Sequence, residues 1–443
     1  MLPRKTSLAI ASLGALLALL EFGKLARPFS VSEVLDFRPR DLANIEPLPQ
    51  VRIVRAPRAG ARRPIIEPNL IDPHESLKAF YLALWRTELG APDAITRVLH
   101  YGDSPVTADS ITADVRSLLQ QHFGDAGHGF ILIAKPWAWY GHRGVDVEGK
   151  GWTISAATQV RARDGFHGLG GVSFEGEPGA SSRFTLAEDH ALMEIHFLRQ
   201  PGGGLLAVEV SGQKLGHVDT EGPDIEPDYR TFALGPGVRE IRLSVERGTA
   251  RLFGVSFERH TPGVIYNSLG LNGGQVQVVV RYFNQPQWSE ELQHEHPDLV
   301  VINYGTNESI YAGYVESTYP GELRQVIARV KASVPGASVL IMSPMDRGQR
   351  DGSDRITTVP TLPRLVEIQR QVAAETGCAF FNTFQAMGGE GTMARWYDSQ
   401  PRLVSADFTH PLPAGARRVG VLLDQALESG YQQFKAREQR RAN

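Results

Sequence analysis

Along most of the chain short apolar runs alternate with helical patterns, and in one long stretch that alternation stops. Residues 97–101, 264–267, 299–303, 338–342 and 379–381 read as buried strands, and residues 106–122, 275–283, 321–334, 362–376 and 413–432 as helices. Strands that are apolar throughout are buried on both faces, and their alternation with helices predicts an open parallel sheet covered on both sides. Between about residues 140 and 262 the chain is instead rich in glycine. It offers short alternating runs at 183–186, 192–197, 205–210, 240–245 and 251–257. Runs of that length between turn residues predict an antiparallel β-sandwich of jelly-roll type. The expected fold class is therefore α/β, an open parallel sheet interrupted by an all-β domain.

The 443 residues suffice for such an arrangement. Lys plus Arg number 46 against 49 Asp plus Glu, so no basic field points to nucleic acid. Cys378 is the single cysteine, which excludes an intrachain disulfide and a C-x-x-C metal or redox site. Arg4 and Lys5 precede an apolar run at residues 7–20, shorter than the roughly 20 residues that span a bilayer. Residues 1–25 thus read as an export signal, either cleaved or kept as a short membrane anchor. Residues 26–73 hold eight prolines and eight arginines with little apolar periodicity, the composition of an extended tether. Ordered structure is expected from a helix near 74–89, where Leu77, Phe80, Tyr81, Leu84 and Trp85 recur at helical spacing. The division expected is a first α/β part at 74–139, the β-rich insert at 140–262, and a second α/β part at 263–443.

Four motifs carry chemistry. Tyr101-Gly102-Asp103-Ser104 ends a strand and opens a helix, where backbone amides and the helix dipole favour a developing negative charge. Taken alone, Ser104 reads more readily as an N-cap than as a nucleophile. Asp407-Phe408-Thr409-His410 precedes the last helix and could supply a base and the carboxylate that orients it. Asn303-Tyr304-Gly305-Thr306-Asn307-Glu308 follows a strand, at the end where open α/β sheets bind ligands. Asn267 through Gly274 also follows a strand, and glycine there lets a backbone N–H approach a substrate oxygen.

In the order Ser, Gly, Asn, Asp and His, these blocks resemble those of the SGNH (GDSL) hydrolase superfamily. The resemblance covers about residues 97–135 and 264–430. It implies an SGNH-type sheet with Ser104 as nucleophile, His410 as base and Asp407 as its orienter. It also implies an oxyanion hole made by the Ser104 and Gly273 N–H groups and the Asn307 side chain, with Gly270 as the reserve glycine. Many members carry Asp where this chain has Glu308, which bears on the role of Glu308 and leaves the hole intact. Pro105 lacks the N–H that the residue after the nucleophile supplies in α/β-hydrolases, so it argues against that fold. From Ser104 to Gly273 lie 169 positions, and the β-rich insert accounts for the excess. An SGNH domain interrupted by a carbohydrate-binding-like sandwich is similar to the bacterial peptidoglycan O-acetylesterases.

The expected function is an exported, periplasmic or membrane-anchored serine esterase acting on O-acetyl groups of an envelope polysaccharide, peptidoglycan first, with no cofactor and no metal. The rivals are an O-acetyltransferase using the same acyl-enzyme and a non-catalytic carbohydrate-binding or assembly protein. Trp137, Trp139 and Tyr140 are candidates to stack on sugar rings, or else to seal the joint between domains. His294-Glu295-His296 invites a metal reading that helical geometry disfavours, because alternate residues on a helix face different ways. The loop at 343–360, with Asp346 and Arg347, could border the cleft.

Overall fold

The computed structural model describes residues 68–159 and 164–442. The segment read as an export signal, and the part of the expected tether up to residue 67, lie outside the described residues. The chain enters as β1 (Leu70–Ile71) and, after the helix Lys78–Glu88, runs through β2 (Ile95–Gly102). Beyond the helices Ser104–Thr107 and Thr112–Phe123 come β3 (Gly127–Ile131), β4 (Val145–Ala156), β5 (Val172–Leu186), β6 (Leu192–Arg199) and β7 (Leu205–Val210). These are followed by β8 (Gln213–Asp219), β9 (Glu226–Ala233), β10 (Glu240–Arg247) and β11 (Ala250–Glu258). Strand and helix then alternate again through β12 (Gly263–Gly270), β13 (Leu299–Asn303), β14 (Ser338–Met342) and β17 (Ala379–Phe381), with β15 (Gly348–Arg350) and β16 (Ile356–Thr358) as a small hairpin. The last helix is Pro413–Ala442.

Six strands form one sheet in the order β1-β17-β14-β13-β2-β12, parallel except for β1. β1 lies in the segment read as tether; its Leu70 and Ile71 pair with Phe381 and Phe380, so ordered pairing begins ahead of the first helix. Successive side chains of a strand face opposite ways, and each strand here feeds two cores. Val98, Leu299, Val301, Leu340, Met342 and Phe381 pack with the helices Lys78–Glu88, Thr112–Phe123 and Pro413–Ala442. Their neighbours Leu99, Val300, Ile302, Val339, Ile341 and Phe380 pack on the other face with the helices Val276–Tyr282, Tyr319–Ser333 and Leu362–Thr376. Burial on both faces is why these strands are continuous apolar runs in the sequence.

β3 to β11 form a large antiparallel sheet of nine strands, in the order β8-β7-β10-β5-β11-β6-β9, with β3 on β11 and β4 on β5. The 15-residue β5 pairs with β4 along one edge and with β10 and β11 along the other. The apolar interior of this sheet is continuous with one face of the parallel sheet, since Phe130, Phe174 and Leu252 share a cluster with Leu99, Tyr101 and Ile302.

Polar contacts tie the two sheets together as well. The Asn267 side chain on β12 accepts from the Phe130 amide at 2.7 Å and donates to the Val98 carbonyl at 3.2 Å, joining β3, β12 and β2. Arg97 on β2 pairs with Glu258 on β11 at 2.6 Å, and buried His196 lies 3.5 Å from Glu291 of the helix Gln285–Glu295. His294 bonds Glu194 at 2.7 Å and stacks on Tyr229 with ring centroids 3.4 Å apart, while His296 caps the helix in left-handed geometry. The metal reading of this triplet gives way to a joint between sheets.

Candidate active site

The Gly102-Asp103-Ser104 motif sits where β2 becomes a helix. Gly102 is required there, because a Cβ would lie 2.5 Å from the Val106 side chain and 3.1 Å from the Asn303 carbonyl. Ser104 opens the helix Ser104–Thr107, with Pro105 in its first turn, where a missing N–H leaves no bond unmade. The Ser104 hydroxyl lies 2.8 Å from His410 Nε2, and His410 Nδ1 lies 2.6 Å from Asp407 Oδ2. Residues more than 300 apart in sequence thus form one hydrogen-bonded series.

The loop bearing Asp407 and His410 is largely self-supporting. Asp407 Oδ1 accepts from the amides of Thr409 at 2.9 Å and His410 at 3.0 Å and from the Ser405 hydroxyl. Partial burial pushes the Asp407 carboxyl up, but the hydrogen bonds from Ser405, from the His410 amide and ring, and from Thr409 outweigh it. They hold the carboxyl well below the usual carboxylate range. Phe408 takes the left-handed conformation, with φ 56°, and its ring meets Tyr397 edge-on at 4.9 Å and lies under the Arg350 guanidinium at 5.1 Å. The Asp407 and His410 side chains are 51% and 48% exposed, whereas Ser104 is 8% exposed. The site is therefore a serine set into an open surface.

Below that surface the polar groups are buried. Asn307 Nδ2 donates to the Gly274 carbonyl at 2.9 Å, which leaves the second N–H of its amide for a ligand. Glu308 is fully buried and accepts from the Val276 amide at 2.8 Å. Asp103, beside the nucleophile, is buried too, and its carboxyl is pushed up to about 6, chiefly by burial. Gly273 is exposed, has φ +68° and has open space where a Cβ would stand. Gly270, by contrast, would place a Cβ 2.0 Å from the Thr107 amide nitrogen, so it serves the close approach of β12 to the nucleophile's helix.

The aromatic candidates separate. Trp137 belongs to the core, and Tyr140 is buried with its hydroxyl oxygen accepting from the Leu132 amide at 2.8 Å. Of the three only Trp139 is exposed. Tyr140 also borders a cavity of about 510 Å³ with Lys135, His142 and Asp146, a space whose lining includes neither Ser104 nor His410. A residue with no motif of its own, Arg347, reaches from the loop after β14 to donate to the Thr306 carbonyl at 2.5 Å. Burial pulls its guanidinium below the ordinary value, while the charges of Asp103 and Asp407 act in the other direction.

Comparison with known proteins bears on the fold. Residues 231–418 match the GDSL-like lipase/acylhydrolase family. That match covers less than half of the chain. The match spans the segments that hold Gly273, Asn307, Asp407 and His410, and Ser104 precedes it. The chain shares its fold with a solved peptidoglycan O-acetylesterase, at a TM-score of 0.70 and 22% identity over 82% of this chain and 99% of that one. It also resembles an acetyl xylan esterase, at 18% identity over 37% of this chain and 80% of that one, with a TM-score of 0.27. A family two carbohydrate esterase from Clostridium thermocellum, in complex with cellohexaose, is 11% identical over 65% of this chain and 100% of that one, with a TM-score of 0.26. The last two superpose too loosely to bear on the site. No curated protein matches the chain.

Proposed function

We propose that this chain is an exported serine esterase of the GDSL-like kind that removes O-acetyl groups from an envelope polysaccharide, with peptidoglycan the leading substrate. The observation that carries the reading is the series Ser104, His410 and Asp407, with contacts of 2.8 and 2.6 Å. His410 takes the Ser104 proton as the hydroxyl oxygen attacks the acetyl carbonyl, and Asp407 orients the imidazole and stabilises it once charged. The tetrahedral oxyanion rests on the N–H groups of Ser104 and Gly273 and on the Asn307 amide. Collapse expels the sugar hydroxyl, which receives the proton from His410, and leaves acetyl-Ser104. Water, deprotonated by His410, then releases acetate. The groups invoked need no metal or organic cofactor.

Three features support the polymeric substrate and the location. The half-exposed loop at 407–410 leaves room for a long chain to lie across the serine. The nine-stranded antiparallel sheet supplies a surface on which a glycan could be held, in the role of a carbohydrate-binding sandwich. Arg4, Lys5 and the apolar run at 7–20 are an export pattern, and the same segment is the proposed means of any membrane attachment. The solved relative is a peptidoglycan O-acetylesterase.

The test is acetate release from O-acetylated peptidoglycan, with acceptor sugars present and absent. Free acetate in both cases, abolished by Ser104→Ala, is expected. Acetyl groups recovered on the acceptor at the expense of acetate would make the protein a transferase.

A further inference from the structure

β12 and β13, which lead to Gly273 and Asn307, are not neighbours in the sheet, because β2 lies between them. No ladder hydrogen bond can therefore hold the two loops in register. Two side-chain contacts do so. Asn307 donates to the Gly274 carbonyl at 2.9 Å, and Glu308 Oε1 accepts from the Val276 amide at 2.8 Å. Val276 is the first residue of the helix Val276–Tyr282, whose opening N–H groups have no partner within the helix. Glu308 is 0% exposed, and its Oε2 has no hydrogen-bond partner. A carboxyl is expensive to bury in that state, so its presence calls for an explanation.

We infer that Glu308 is a positioning residue of the oxyanion hole, clamping the loop of Gly273 to the loop of Asn307 through the Val276 amide. The inference rests on the esterase reading above and deepens it. Burial pushes the Glu308 carboxyl up to about 8, with the Asp103 charge adding to the shift and the amides of Val276, Gly305 and Glu308 itself opposing it. The other ionisable groups that sense it are Tyr304, Tyr314 and Tyr319. A neutral carboxyl still offers its carbonyl oxygen to Val276, so the clamp needs an acceptor and no charge.

Three variants test this on a small soluble acetate ester. Glu308→Ala leaves the Val276 N–H without its acceptor, and kcat should fall about 10- to 100-fold with KM little changed, since the displaced donors act in the transition state. Glu308→Gln keeps the acceptor, and kcat should stay within about threefold of the parent. Val276→Pro deletes the donor at a first-turn position that accepts proline, and it follows a residue already extended, at φ −137° and ψ 155°. Its loss in kcat should match that of Glu308→Ala, and the double variant should lose no more than either. Should Glu308→Ala fail to fold, Glu308→Gln and Val276→Pro carry the same test.

Stability gives a second readout. A carboxyl whose folded value of about 8 lies above the ordinary 4.5 stabilises the fold fully below 4.5, and that contribution is lost as pH rises through about 8. Glu308→Gln should remove that loss and gain on the parent in melting temperature across this range. Full kcat in folded Glu308→Ala or Val276→Pro, a change confined to KM, or a Gln variant as impaired as the Ala one would overturn the clamp. Ester hydrolysis surviving Ser104→Ala would instead overturn the esterase reading beneath it.

Discussion

The loop that carries Asp407 and His410 and the floor that carries Asn307 and Glu308 meet at the same serine and are built in opposite ways. The first is half exposed and held mainly by hydrogen bonds within residues 405–410. The second is buried and held by contacts between loops of separate strands. The difference fits the work proposed for each. A base that exchanges protons with a leaving alcohol and with water has to stay near solvent. Donors that stabilise an oxyanion act best when fixed beforehand in a place from which water is excluded.

The comparison can be broken first at the exposed loop. Ser104→Ala and His410→Ala should each lower kcat by several orders of magnitude, with circular dichroism and melting temperature close to the parent. Near-parental turnover by folded Ser104→Ala would remove the mechanism. Asp407→Asn keeps the shape and loses the orienting charge, so activity should fall by about 10³ to 10⁴ and still be measurable. Asn307→Ala probes the floor. It should cost about 10² to 10³ in kcat with a smaller effect on KM, and a change in KM alone would reassign the amide to substrate binding. The mildest expectation is Ser405→Ala, which removes one of several hydrogen bonds to Asp407. A loss of about tenfold or less in kcat would show that the Thr409 and His410 amides hold the carboxylate without it.

How far each region was legible follows from the same physics. The limits expected for β13, β14 and β17, at 299–303, 338–342 and 379–381, coincide with the structure. Strands buried on both faces write themselves as unbroken apolar runs. β8, Gln213–Asp219, has one buried residue in seven, and β9, Glu226–Ala233, contains Pro227 and exposed charges, so neither leaves such a trace. β4 is exposed along its middle, through Glu148 to Gly151, and was equally silent. At the site, Ser104, Asp407 and His410 were singled out by the resemblance of the ordered motifs to a known family, since each motif alone reads as well as a cap or a turn. The burial of Asp103 and Glu308, and the reach of Arg347 to Thr306, depend on which loops are brought together, and no local pattern records that. Trp137 and Tyr140, open in the sequence to stacking on a sugar or to packing at a joint, are buried, and an aromatic cluster looks alike in a core and in a sugar site.

The antiparallel sheet begins and ends at nearly one place. Gly124 accepts from the Val264 amide at 2.9 Å, Ala126 accepts from the Arg259 amide at 2.8 Å, and β3 lies against β11. This matters for how the chain reaches its native state. β2 and β12 pair residue for residue across a separation of 168 positions, as between Thr96 and Val264, and closing so long a loop at random is entropically costly and slow. Once β3 has found β11, the two ends are already side by side, and β12 needs only a short connection to dock on β2. Pairing of β3 with β11 thus shortens the loop that has to be closed before the strand leading to Gly273 can dock.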